Sequence, residues 1–287
     1  MDQAEKLRNE VRSRKNFFNK VIAVTSGKGG VGKTNIAINL AVCFRKMGKR
    51  VIIFDADFGL ANVEIMFGQV PKYDLSDLLY KGMRIKDIIT EGPMGIGFIS
   101  GGSGILSLNN ISADQLDKIV LGLEELNDLC DILIVDTGAG VSDNVIRVAL
   151  SSSEILIVTT PEPSSLTDAY SLVKALVMDP KFAKFETNLR IVVNKVRSDR
   201  EAKAVFNKMQ SVSLKFLDTR LKYQGMIPYD TALDRAVKGQ KVVSLEEPSS
   251  KSARAISYLA ESLIDGDESI VKENNISRFF RLISGKK

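Results

Sequence analysis

Histidine is absent from all 287 residues of this chain. Its absence excludes a serine–histidine–aspartate triad and any histidine-ligated zinc, and leaves acid–base chemistry to carboxylates, lysines or water. Cysteine is almost as scarce. Cys43 and Cys130 are the two that occur, each in an apolar stretch, which suits reduced core thiols of a cytosolic protein and not a disulfide framework. Their spacing supplies no set of cluster ligands, which argues against an iron–sulfur carrier or reductase. No apolar run reaches the roughly 18–20 residues that span a bilayer. The acidic, polar start Met1-Asp2-Gln3-Ala4-Glu5 lacks the pattern of a secretory signal. What remains is the balance of a globular domain with a full core, 44% apolar and 26% charged residues. The formal net charge of +5 permits association with nucleic acid or anionic lipid without establishing either.

Short β-branched apolar runs at Val21–Thr25, Val51–Phe54, Ile132–Val135, Ile155–Thr159 and Ile191–Val193 read as strands buried on both faces of a parallel sheet. Between them lie the helical patterns Asn35–Met47, Ala113–Leu129, Ser164–Val177 and Arg200–Leu214. The alternation predicts a doubly wound α/β domain over residues 17–264, a mostly parallel sheet with helices on both faces. Residues 1–16 are charged and poor in apolar groups, 265–275 form an acidic, polar linker, and 276–287 turn basic and apolar. Both ends read as attachments to a central machine.

Within that domain, Val21–Ser26 runs into Gly27-Lys28-Gly29-Gly30-Val31-Gly32-Lys33-Thr34 and then an apolar helical pattern. Strand, glycine loop and helix in that order form a P-loop for ATP and ADP. Glycines let successive backbone N–H groups turn toward phosphate oxygens, and the helix adds its positive end. Lys33 is placed to reach the β/γ phosphates, and the Thr34 hydroxyl to coordinate Mg²⁺. Two further strands end in acids. Ile132–Val135 leads into Asp136-Thr137-Gly138-Ala139-Gly140, the pattern of a metal-holding aspartate followed by a glycine switch. Val51–Phe54 leads into Asp55-Ala56-Asp57, and acids at the carboxyl end of a parallel strand lie where such sheets bind ligands. Asn194, ending another strand, can donate to and accept from adenine, although asparagine there is also a routine turn residue.

Lys28, a second lysine inside the glycine stretch, makes this sequence resemble the deviant Walker A superfamily of MinD, ParA and the nitrogenase iron protein. The resemblance implies that Lys28 reaches the phosphates of a partner subunit, so that ATP bridges a homodimer. It implies that Asp57 orients the attacking water, with Asp55 nearby toward the metal, and that Asn194 with Pro228-Tyr229-Asp230 surrounds the base. It also implies slow hydrolysis until a partner stimulates it.

The two ends narrow the resemblance. Asp2-Gln3-Ala4-Glu5-Lys6-Leu7-Arg8 is similar to the N-terminal element of the FlhG family (YlxH, FleN), MinD-like ATPases governing flagellar number and position. Asp2 can cap a helix with Glu5 reaching back, placing Ala4, Leu7 and Val11 on one face. So short a helix is unstable alone in water, so a partner is expected to fold it. The resemblance names that partner as a FlhF-type GTPase, stimulated by this element through Asp2, Gln3, Ala4, Leu7 and Arg8, and admits flagellar switch or C-ring proteins as further partners. Thr159–Tyr170 also looks like FlhG and is expected at the dimer or partner face, although a plain helix start capped by Ser164 or Ser165 explains its residues equally well. At the other end Ile276, Phe279, Phe280 and Ile283 share one helical face beside a basic flank, as in a helix lying on an anionic membrane. A last helix folded onto the domain is the ordinary alternative. The expected protein is therefore cytoplasmic and reversibly peripheral on the inner face of the cell membrane. A MinD-type cell-division ATPase and a ParA-type DNA-partitioning ATPase are the alternatives. The amphipathic tail and FlhG-like start count against DNA.

Overall fold

The computed structural model describes residues 20–57, 62–102, 125–182 and 188–265. The N-terminal element (Asp2, Gln3, Ala4, Leu7, Arg8), the C-terminal stripe (Ile276, Phe279, Phe280, Ile283) and most of the helical pattern over 113–129 lie outside the described residues.

β1 (Lys20–Ser26) is buried from Val21 onward without alternation, because helices cover both of its faces. The chain then runs through α1 (Lys33–Lys46), β2 (Val51–Ala56), α2 (Asn62–Phe67), α3 (Leu75–Lys81), β3 (Thr90–Glu91), β4 (Gly97–Ile99) and β5 (Ile132–Ala139). There follow α4 (Asp143–Ser151), β6 (Glu154–Thr159), α5 (Pro163–Met178), β7 (Asn188–Val196), α6 (Asp199–Leu217), β8 (Lys222–Pro228), α7 (Thr231–Lys238) and α8 (Lys251–Asp265). The eight strands form one sheet in the order β3-β4-β2-β5-β1-β6-β7-β8. Every pairing is parallel except β3 with β4.

Side chains alternate between two cores even though both faces are apolar. Ile22, Val24, Ile132, Ile134, Leu156 and Val158 pack under α1 and α8. Val21, Leu133 and Val135 face the opposite side with α3, and Ile155 and Ile157 do so with α5 and α6. This is the doubly wound arrangement. Both cysteines are buried in it, and burial pushes the Cys130 thiol up to about 12.

The amino ends of the strands carry a buried ion pair. Arg190 donates to Glu154 through Nε and, at 3.3 Å, through Nη2, and its Nη1 donates to Gln224 at 3.0 Å. Gln224 in turn donates to Ser262 on α8 at 2.6 Å, which ties the last helix to the sheet. The carboxyl ends carry the chemistry. β1 lies between β5 and β6, the point where the winding changes side, and such sheets hold ligands in the crevice there.

Candidate functional site

The segment that leaves β1 is a loop with room for nothing but glycine at two positions, Gly27 and Gly32. Gly32 has φ 100° and precedes α1, and a Cβ on it would stand 2.5 Å from the Asn194 Nδ2. A Cβ on Gly27 would stand 2.0 Å from the carbonyl oxygen of Asp168 on α5. The loop is thus wedged between β7 and α5. Among the described residues, no backbone hydrogen bond takes the N–H groups of Gly29, Gly30, Val31 or Gly32. Together with the first turn of α1 they form a concavity of donors, which suits an anion.

Lys33 and Thr34 open α1 inside this concavity. Lys33 is 8% exposed, and its charge draws the nearby Asp136 carboxyl back toward ionisation. The Thr34 hydroxyl donates to Asp136 Oδ2 at 2.6 Å. Asp136 sits on β5 in register with Val24 of β1 on one side and Asp55 of β2 on the other. It is fully buried, and burial pushes its carboxyl up to about 7. Its second oxygen, Oδ1, has no hydrogen-bond partner among the described residues. A buried bare carboxylate oxygen beside a threonine hydroxyl is a set of hard donors that fits Mg²⁺. Among the described residues no group of three or more acidic, cysteine or histidine side chains is arranged as a metal cage. A cation held here by Thr34 and Asp136 would take its other ligands from phosphate and water, as Mg²⁺ does in nucleotide sites.

Asp55 was expected near the metal. It stands in register with Asp136, and its oxygens accept from two backbone N–H groups, Asp57 at 3.1 Å and Val63 at 3.4 Å. Burial, then the charge of Asp136, pushes its carboxyl up to about 8. What Asp55 visibly does is hold the turn that presents Asp57. Asp57 accepts from Asn62 Nδ2 at 3.3 Å, and its Oδ1 lies 3.2 Å from where a Gly138 Cβ would be. The two acidic strand ends therefore meet at Asp57 and Gly138. Gly138 belongs to β5, whose last residue pairs with Ser26, and the turn comes only at Gly140 with φ 103°. The glycine turn expected directly after Asp136 is displaced because β5 keeps pairing with β1.

Lys28 is engaged within its own chain. Its ammonium donates to Glu162 Oε2 at 3.0 Å and to Ser164 Oγ at 2.8 Å. Neither Ser164 nor Ser165 caps α5, contrary to the plain-helix expectation. Glu162 takes the N-cap position without a side-chain cap, Pro163 fills the first turn, and Ser165 accepts from the Thr160 N–H at 3.0 Å. Glu162 and Ser164 were not singled out as site residues. The only signal for them was their place in the Thr159–Tyr170 segment.

Asn194, Pro228 and Asp230 converge at the ends of β7 and β8, where Asn194 pairs with Ile227 and Val196 with Pro228. Both polar side chains already have protein partners. Asn194 Nδ2 donates to the Val31 carbonyl at 2.7 Å, and its Oδ1 accepts from the Lys195 N–H at 2.8 Å. Asp230 caps α7 through Ala232 and clasps the start of α8 through the Ser252 N–H and hydroxyl. The structure therefore gives Asn194 to the glycine loop and Asp230 to two helix starts.

A family model described as the CobQ/CobB/MinD/ParA nucleotide binding domain matches residues 22–243. Over 244 residues the chain is 38% identical to the antiactivator FleN of Pseudomonas aeruginosa, covering 85% of this chain and 86% of that one. Over 295 residues it is 35% identical to the flagellum site-determining protein YlxH of Helicobacter pylori, covering 98% of each. Among solved structures, the cell division ATPase MinD of Pyrococcus furiosus matches with a TM-score of 0.69 and 27% identity, covering 87% of this chain and 100% of that one. MinD of Pyrococcus horikoshii, complexed with Mg-ADP, matches with a TM-score of 0.68 and 25% identity, covering 88% and 99%.

Proposed function

Because the chain belongs to the CobQ/CobB/MinD/ParA nucleotide-binding family, in its FleN and YlxH branch, we propose that it is an ATPase switch that pairs on ATP and controls flagellar number and placement. The observation that carries this reading is Asp136, with one oxygen on Thr34 and the other buried bare beside the glycine loop.

ATP lies along the loop, its phosphates met by the N–H groups of Gly27–Thr34 and by the Lys33 ammonium. Thr34 and Asp136 would hold Mg²⁺, which would supply charge neutralisation on the phosphate oxygens. Asp57, steadied by Asn62 and the Asp55 turn, orients the attacking water, and no histidine is present to compete for that task. Water adds to the γ-phosphorus as the bond to the β-phosphate oxygen breaks, giving ADP and phosphate. Asn194 steadies the loop, and the base lies beside Asn194, Pro228 and Asp230 at the ends of β7 and β8.

Two protomers close face to face, and each Lys28 leaves Glu162 and Ser164 for the other's phosphates. The tail face of Ile276, Phe279, Phe280 and Ile283 then acts as a pair on anionic membrane. Linking two weak contacts multiplies affinity by ~10²–10⁴. Among the described residues no helix is long and apolar enough to cross a membrane. Residues 1–16 act on a FlhF-type GTPase. The flagellar reading is supported over a septum-site one by 38% identity to FleN over 85% of the chain and 35% to YlxH over 98%, against 30% over 86% to the septum site-determining protein MinD of Synechocystis.

Phosphate release from ATP by the purified chain tests the enzymatic core. Slow release that needs Mg²⁺ and is lost in Lys33→Ala is expected. A chain that binds no nucleotide contradicts the proposal.

A further inference from the structure

Consecutive side chains on a strand point to opposite faces. At the end of β7 two do not. Asn194 donates to the carbonyl of Val31 at 2.7 Å, and Lys195 Nζ donates to the carbonyl of Gly30 at 3.0 Å. The backbone explains how. Lys195 has φ 57°, in the left-handed region that a residue with a Cβ enters at a cost. The pairing of β7 with β8 shifts register between Asn194 and Val196, at that same residue. The Lys195 N–H is tied to Asn194 Oδ1 at 2.8 Å, so the pair is locked together. A non-glycine residue keeps such a conformation only when its surroundings impose it.

The loop supplies a reason. A segment that turns its N–H groups inward toward an anion turns carbonyls outward, and those carbonyls need donors of their own. The outward carbonyls of Gly30 and Val31 receive one donor each, from two successive residues of one strand end. We propose that Lys195 is a positioning residue for nucleotide: with Asn194 it clamps the Gly30 and Val31 carbonyls and holds the phosphate loop in its binding shape before nucleotide arrives. The inference rests on the reading of Gly27–Thr34 as the phosphate site. A loop ordered in advance loses less freedom on binding. Because it serves substrate and transition state alike, its removal raises KM and leaves kcat in place.

The test uses the full chain and three variants, with binding of a fluorescent ADP analogue, ATP turnover with Mg²⁺ and melting measured side by side. Lys195→Met keeps the stem and removes the donor. Because Lys195 is exposed, the variant's Kd and KM are expected to rise about fivefold, the upper worth of an exposed charged contact, with kcat unchanged. Lys195→Arg restores the donor and most of the affinity. Lys195→Gly suits the left-handed backbone, so it melts no lower than the parent and still loses the same affinity as Lys195→Met. Parental affinity in both the Met and Gly variants overturns the clamp, as does a loss confined to kcat. A parent chain that binds no nucleotide overturns the phosphate-site reading itself, and the clamp with it.

Discussion

Asp136 is the residue on which the site's chemistry turns, because a buried carboxylate oxygen without a partner is costly unless something comes to it. Asp136→Asn keeps the shape and drops the charge. In the metal-free protein the carboxyl is held at about 7 by burial, well above the ordinary ~3.9. The native state then keeps a proton that the unfolded chain releases, so this group's contribution to stability falls as pH rises from about 4 to about 7. Asparagine has no such loss. In EDTA the variant is expected to melt at or above the parent above about pH 7, while its Mg²⁺-dependent hydrolysis falls by about 10²–10³. Parental hydrolysis in Asp136→Asn would remove this residue from metal handling.

α5 is the element that answers to the loop, through the close approach of Gly27 to Asp168 and the grip of Glu162 and Ser164 on Lys28. Lys28→Ala severs that grip and removes the proposed contact across the dimer, while Lys33 remains. Nucleotide binding is therefore expected within about threefold of the parent, since an exposed ion pair contributes little, with pairing on ATP lost. Light scattering that finds ATP-dependent pairs of Lys28→Ala would assign the cross-subunit contact elsewhere. The C-terminal stripe makes its own prediction. Phe279→Glu sets a carboxylate against apolar insertion and anionic lipid, so ATP-dependent sedimentation with anionic liposomes should vanish while pairing in solution persists. Unchanged sedimentation would rule out this stripe as the anchor. Elements with long apolar runs were legible in the sequence: β1, β2, β5 and β6 stand where the runs placed them, each lengthened by polar ends that pairing recruits. β7 was read as Ile191–Val193 because Arg190 interrupts the pattern, and only the structure shows it neutralised by Glu154. β8 was not read at all, since an edge strand carrying Lys222 and Gly225 has no apolar run to announce it. Lys195 and Glu162 were illegible for another reason: each matters through a contact across more than 130 residues of chain.

At the scale of the whole molecule, the sheet gathers the ends of β1, β2, β5 and β7 around one loop. The proposed closing of two protomers on ATP is the event on which the proposed membrane and partner roles depend. Asp57→Ala isolates that event, because it leaves the loop, Thr34 and Asp136 intact and removes the carboxylate beside Gly138 that is assigned to the water. The most direct measurement is the mass of Asp57→Ala in solution by light scattering, with Mg²⁺ and either ATP or ADP. The account predicts a chain of 31.5 kDa with ADP and a stable species of twice that mass with ATP, outlasting the parent's transient pair. A monomer in both nucleotides, hydrolysing ATP at the parental rate, would contradict it.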